Sequence, residues 1–106
     1  MTQNTALYSR NKALYIILCG EVKGVGFRRY VWRLAKTLNL KGYVRNVPNR
    51  DCVEVCIEGD VDLIDEFKNR VISNKVYRIE YIETLEHMYT GRYNDFIIVK
   101  CVGEEY

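Results

Sequence analysis

Several residue types that would point to a function are scarce in this chain. It has one histidine, His87, and one proline, Pro48. A single imidazole cannot found a histidine-rich metal centre, and the four cysteines do not supply one. Cys52 and Cys56 form the one close pair, and no second pair completes zinc spacing. No apolar run approaches the length of a membrane helix. The segment from Met1 to Asn11 is polar, and the apolar run 14–19 is too short and too late for a signal peptide. Net charge is only +2, too small to argue for a nucleic-acid or membrane partner. These absences lead us to expect a cytoplasmic protein with no metal and no cofactor.

The cysteines read as small buried apolar residues. Cys52 and Cys56 in a strand would share one face, too far apart to bond each other. A Cys19–Cys101 bridge is open if their strands are neighbours. The 106 residues, 48% of them hydrophobic, suit one domain with one core. Residues 1–12 read as a flexible arm, and 13–106 as the single domain.

What is present is concentrated in one stretch, Gly20-Glu21-Val22-Lys23-Gly24-Val25-Gly26-Phe27-Arg28-Arg29-Tyr30. The run Leu14–Cys19 leads into it and a helical pattern leaves it. Three glycines in seven residues free the backbone where a strand becomes a helix. Main-chain N–H groups can then converge on a ligand, joined by those of the helix start and its partial positive charge. Lys23, Arg28 and Arg29 raise the potential further. An anion cradle is the functional reading, and a plain turn is the bland one.

The stretch fits neither a Walker A loop nor G-x-G-x-x-G. Lys23-Gly24-x-Gly26-Phe27-x-x-Tyr30 matches much of the RNA-binding RNP1 pattern, which requires a strand with outward aromatics. Phe27, Val31, Leu34 and Leu38 recur instead at helical spacing, which argues against it.

The run Gly20-x-Val22-Lys23-Gly24-Val25-x-Phe27-Arg28 resembles the acylphosphatase signature G-x-V-Q-G-V-x-F-R. Gly42-Tyr43-Val44-Arg45-Asn46, followed by Val53 and Gly59, resembles the family's second motif. The likeness spans about residues 13–100. Two departures stand out. Lys23 occupies the family's Gln position, and the turn after Asn46 lacks a Gly and carries one extra residue.

The remaining pattern is coarse but consistent. Strands are expected at Ala13–Cys19, Lys41–Val47, Cys52–Glu58, Val76–Glu86 and Phe96–Lys100, with a bulge where the fourth slips phase at Ile82. Helices are expected from Phe27 to about Leu38, stopped by Asn39, and from an Asp60 or Asp62 cap to about Val71. Trp32 reads as packed at the edge of the first helix. The order βαββαβ plus a short final strand predicts an α+β ferredoxin-like sandwich, an antiparallel sheet with two helices on one face. Acylphosphatases have this fold, so pattern and resemblance agree. Tyrosines, nine in all, would cover the open face of the sheet.

An acyl phosphate leaves as a carboxylate, already stable as an anion, so its hydrolysis needs no general acid. It needs phosphoryl binding, charge stabilisation and an in-line water. The resemblance implies that the family's catalytic Arg and Asn map onto Arg28 and Asn46. A guanidinium suits a phosphoryl clamp, and a carboxamide suits the positioning of water. Phosphate-binding candidates are Val22, Lys23, Gly24, Val25, Gly26, Phe27 and Arg28. The implied ligands are a small-molecule acyl phosphate and inorganic phosphate, with a monomer as the acting unit. A non-catalytic module binding phosphate or a partner, or an RRM-like nucleic-acid-binding domain, are the alternatives. Lys23 could tighten phosphate binding, slow product release or disturb the loop, and the residues alone do not choose.

Overall fold

The computed structural model describes residues 10–24 and 26–100. Five strands and two helices follow one another as β1 (Asn11–Glu21), α1 (Phe27–Thr37), β2 (Lys41–Asn46), β3 (Cys52–Asp60), α2 (Val61–Ile72), β4 (Arg78–His87) and β5 (Phe96–Val99). The sheet order is β4-β1-β3-β2-β5. Strand pairs β1–β3, β1–β4 and β2–β3 are antiparallel. The expected antiparallel sheet is corrected at one edge, where β5 joins β2 in parallel.

Alternation decides which face is buried. Leu14, Ile16 and Leu18 on β1, and Val53, Val55 and Ile57 on β3, point into one core. The stripe Phe27, Val31, Leu34 and Ala35 of α1 enters the same core, as do Ile64, Phe67 and Val71 of α2. Both helices therefore cover one face. Phe27 and Tyr30 lie on a helix, so the strand that RNP1 needs is missing at this place. Trp32 packs at the core margin, and its Nε1–H donates to the Phe96 carbonyl at 3.0 Å. Asn39 takes the expected left-handed turn, φ 56°. The Asp60 carboxylate caps α2 by accepting from the Asp62 and Leu63 amides.

Two local expectations shift. Strand β1 starts at Asn11, inside the segment read as an arm, and residues 1–9 lie outside the described ones. The β4 irregularity lies before Ile82: Cys19 pairs with Tyr81 and Gly20 with Ile79, which leaves Glu80 unmatched. The extra residue turns both Ile79 and Ile82 against the core, which is why the phase slips there.

The cysteine reading is overturned more strongly. Cys19 and Cys52 are disulfide-bonded, because the β1–β3 register sets them opposite each other. Cys19 is thus already engaged, and β5 is not a neighbour of β1; Cys101 lies outside the described residues. In the chain-entropy account, a link across 33 residues is worth about 4 kcal/mol of stability.

On the open face, Tyr15 and Tyr43 flank Cys56 in one row across the sheet. Burial pushes the Cys56 thiol up. Not all tyrosines lie on this side, since Tyr30 and Tyr77 pack against Phe27. Four polar side chains are buried among the described residues: Arg28, Asn46, Glu54 and Glu58. The two acids have evident structural partners. Glu54 accepts from Tyr43 Oη at 2.6 Å and Arg45 Nη2 at 2.8 Å. Burial alone would raise its pKa, but these bonds outweigh burial and hold the carboxyl below its usual range. Glu58 accepts from Thr90 Oγ1 and the Thr90 and Gly91 amides, which pins the segment before β5.

Candidate active site

Strands β1 and β2 are both antiparallel to β3, so their C-terminal ends lie at the same end of the sheet. One row across that end reads Ile82, Leu18, Val53, Asn46. Leu18 and Val53 face the helices, and Asn46 shares their side of the sheet. Asn46 is two strands from Leu18, or about 10 Å at ordinary strand spacing. The loop from Val22 to Gly26 leaves β1 at this end and feeds α1, which packs over β2 and β5. Topology alone therefore sets the loop, the first turn of α1 and Asn46 around one corner.

The loop has the backbone that its glycines permit. Gly24 and Gly26 sit at φ 71° and 85°, in left-handed territory that a side chain would strain. Gly26 is the N-cap of α1 and brings no side-chain cap. No acidic residue stands in the first turn of α1. The contrast with α2 is direct, since α2 has the Asp60 cap and Asp62 in its first turn. Helix α1 instead has Arg28 and Arg29 in its first turn, where the helix dipole by itself disfavours cations, and Arg28 is buried there. Val22 and Phe27 are buried and anchor the loop's two ends. Val25 lies outside the described residues.

Arg28 is 9% and Asn46 8% exposed. Their buried atoms Arg28 Nη1 and Asn46 Oδ1 have no hydrogen-bond partner, although each side chain has other interactions. Arg29 points away and lines a separate cleft with Trp32, Arg33 and Ile98.

Three links tie the loop to the turn after Asn46. The Lys23 ammonium donates to the Val47 carbonyl at 3.0 Å. The Gly20 amide donates to the Asp51 carbonyl at 2.9 Å. The Cys19–Cys52 disulfide closes the same seam. None of these was visible in the residues alone. The first sign would have been the β1–β3 register, which puts Cys19 opposite Cys52.

A cleft of about 790 Å³ runs along that seam, lined by Glu21, Lys23, Arg50, Asp51, Cys52 and Tyr81 among others. It does not include Arg28 or Asn46, and the reason is the pleat: Cys19 and Cys52 face the open side of the sheet, Leu18 and Asn46 the helix side. We place the candidate site on the helix side, where the buried cation and the buried amide lie. Among the described residues, no three of His, Cys, Asp and Glu gather in a way that could hold a metal.

Comparison with known proteins supplies the family. The sequence model of the acylphosphatase family matches residues 14–98. An acylphosphatase of Treponema denticola is 41% identical over 88 residues, 82% of this chain and 92% of that one. The probable carbamoyltransferase HypF of Methanocaldococcus jannaschii is 42% identical over 83 residues, but this chain spans only 11% of its length. The crystal structure of acylphosphatase from Bacillus subtilis superposes with a TM-score of 0.77 at 29% identity, covering 83% of this chain and 98% of that one. The chain belongs to the acylphosphatase family.

Proposed function

We propose that this protein hydrolyses the carboxyl–phosphate bond of acyl phosphates, giving a carboxylate and inorganic phosphate. The observation that carries the reading is the start of α1, without a side-chain cap and free of acid, with Arg28 buried in its first turn. Loop amides of Val22, Lys23, Gly24, Val25, Gly26 and Phe27 receive phosphoryl oxygens, and Arg28 clamps two of them. The Asn46 carboxamide oxygen accepts a hydrogen bond from water and directs a water lone pair at phosphorus, and the water protons remain on the phosphate that leaves. Expulsion of the carboxylate requires no proton donor, so no side chain is assigned as general acid. Arg28 and Asn46 come from one chain, so the monomer is the acting unit.

The test is steady-state hydrolysis of acetyl phosphate beside an alkyl phosphomonoester, with and without chelator. Acetyl phosphate should be cleaved at a chelator-independent rate and the monoester almost untouched, because an alkoxide needs the acid this site lacks. Equal rates on the two, or loss of activity with chelator, would overturn the reading.

A second reading rests on Lys23 at the family's Gln position and on the relative named a carbamoyltransferase, which is about nine times longer than the matched segment. In it the domain binds a phosphoryl group, or a partner, without turnover. Phosphate binding with no hydrolysis of acetyl phosphate would favour it.

A further inference from the structure

Lys23 resolves differently from its neighbours in the loop. Its side chain leaves the cradle and crosses to β2's far end, where Nζ donates to the Val47 carbonyl, partly buried. Val47 directly follows Asn46. Its own amide donates to the Cys52 carbonyl at 2.9 Å, and its carbonyl also receives the Arg50 amide at 3.4 Å. The peptide planes on both sides of Val47 are therefore held, one by the β3 end and one by Lys23. On its other side Asn46 is held by the β2–β3 ladder, paired with Val53.

The turn from Val47 to Asp51 carries an extra residue relative to the family pattern and lacks the family's Gly; Asn49, at φ 62°, takes the left-handed turn position that Asn tolerates. We infer that Lys23 is a positioning residue: it ties the phosphate loop to Val47 and so fixes the Asn46 carboxamide relative to the cradle. The proposal rests on the catalytic reading of Asn46. It assigns the ammonium to a main-chain carbonyl rather than to the phosphoryl group. A misplaced water-positioning amide costs turnover, because small displacements from attack geometry are expensive. Ground-state phosphate affinity, supplied by the loop amides and Arg28, should hardly change.

The experiment is a double-mutant cycle on acetyl phosphate hydrolysis, using Lys23→Met, Asn46→Ala and the pair, with inorganic phosphate as competitive inhibitor. Lys23→Met is expected to lower kcat about tenfold and to leave the phosphate inhibition constant within about twofold. In the Asn46→Ala background the same substitution should change nothing. Lys23→Arg, which keeps a donor of similar reach, should restore most of kcat. The side-chain amide signal of Asn46 in ¹H–¹⁵N spectra should shift in Lys23→Met and return in Lys23→Arg. If Lys23→Met weakens phosphate binding as much as turnover, or acts equally in both backgrounds, the ammonium is a phosphate ligand and the inference fails. If Asn46→Ala itself keeps full kcat, the catalytic reading of Asn46 falls instead. The amide signal still decides the tether in that case: an unshifted Asn46 resonance overturns it.

Discussion

Arg28→Ala should lower kcat/KM on acetyl phosphate by roughly a thousandfold, about 4 kcal/mol. The magnitude follows from what the side chain is. A guanidinium in the first turn of a helix, 9% exposed, sits in a medium that screens poorly and where each charge-assisted bond is strong. In the proposed reading the clamp holds the phosphoryl group both before and during transfer. Phosphate binding must therefore weaken along with turnover, and the phosphate inhibition constant should rise in parallel with KM. Arg28→Lys should recover little, because a point charge does not reproduce a two-pronged fork. A circular-dichroism spectrum matching wild type guards against simple unfolding. If inorganic phosphate inhibits the Ala variant as well as it inhibits wild type, Arg28 is not the clamp.

Asn46→Ala should behave differently, with kcat down about a hundredfold and phosphate affinity almost unchanged. A group that touches only the nucleophile contributes chiefly in the transition state. Asn46→Asp sharpens the test. It keeps the shape and an acceptor but sets a carboxyl in a buried row with Val53 and Leu18. Burial and a bound phosphate raise the pKa of the new acid, and the Arg28 guanidinium at the same corner lowers it. Below that pKa the acid is neutral, and phosphate should bind the variant nearly as well as wild type. Above it the carboxylate repels phosphate and affinity should drop. The Ala variant should show no such pH dependence. Phosphate inhibition constants and kcat for both variants, from acid to neutral pH, decide the matter. Full kcat in a folded Ala variant would remove Asn46 from the mechanism.

How much of this was legible beforehand differs from residue to residue. The core stripes were readable because Val53, Val55 and Ile57 alternate with period two, and Phe27, Val31 and Leu34 recur with the period of a helix. The loop was readable because its glycines have a local reason to be there. What escaped was whatever depends on register between distant strands. Spacing along the chain does not pair the cysteines, whereas Cys19 and Cys52 meet across a ladder. The same holds for Lys23: nothing local says that its ammonium will find the carbonyl of Val47, 24 residues on. The edge strand β5 is four residues long, and its direction follows from where the segment pinned by Glu58 delivers it. The glycine turn into α1 could thus be read directly, whereas the links from Cys19 to Cys52 and from Lys23 to Val47 could not.

The cross-strand disulfide has a kinetic consequence as well. Strand β1 is an interior strand, yet both of its partners come later in the chain: β3 after two intervening elements and β4 near the other end, where Ala13 pairs with His87. Such non-local pairing makes chains of this topology search long before contacts repay the closure. In the oxidised chain Cys19 stays beside Cys52 even after denaturation, so the β1–β3 ladder can zip from a loop already closed. Refolding from denaturant should be roughly thirtyfold faster oxidised than reduced, if half the closure entropy is spent before the barrier. Stopped-flow fluorescence of Trp32 with and without reductant measures this. Equal rates would mean that β1 and β3 meet only after the barrier, leaving the bond to act on unfolding alone.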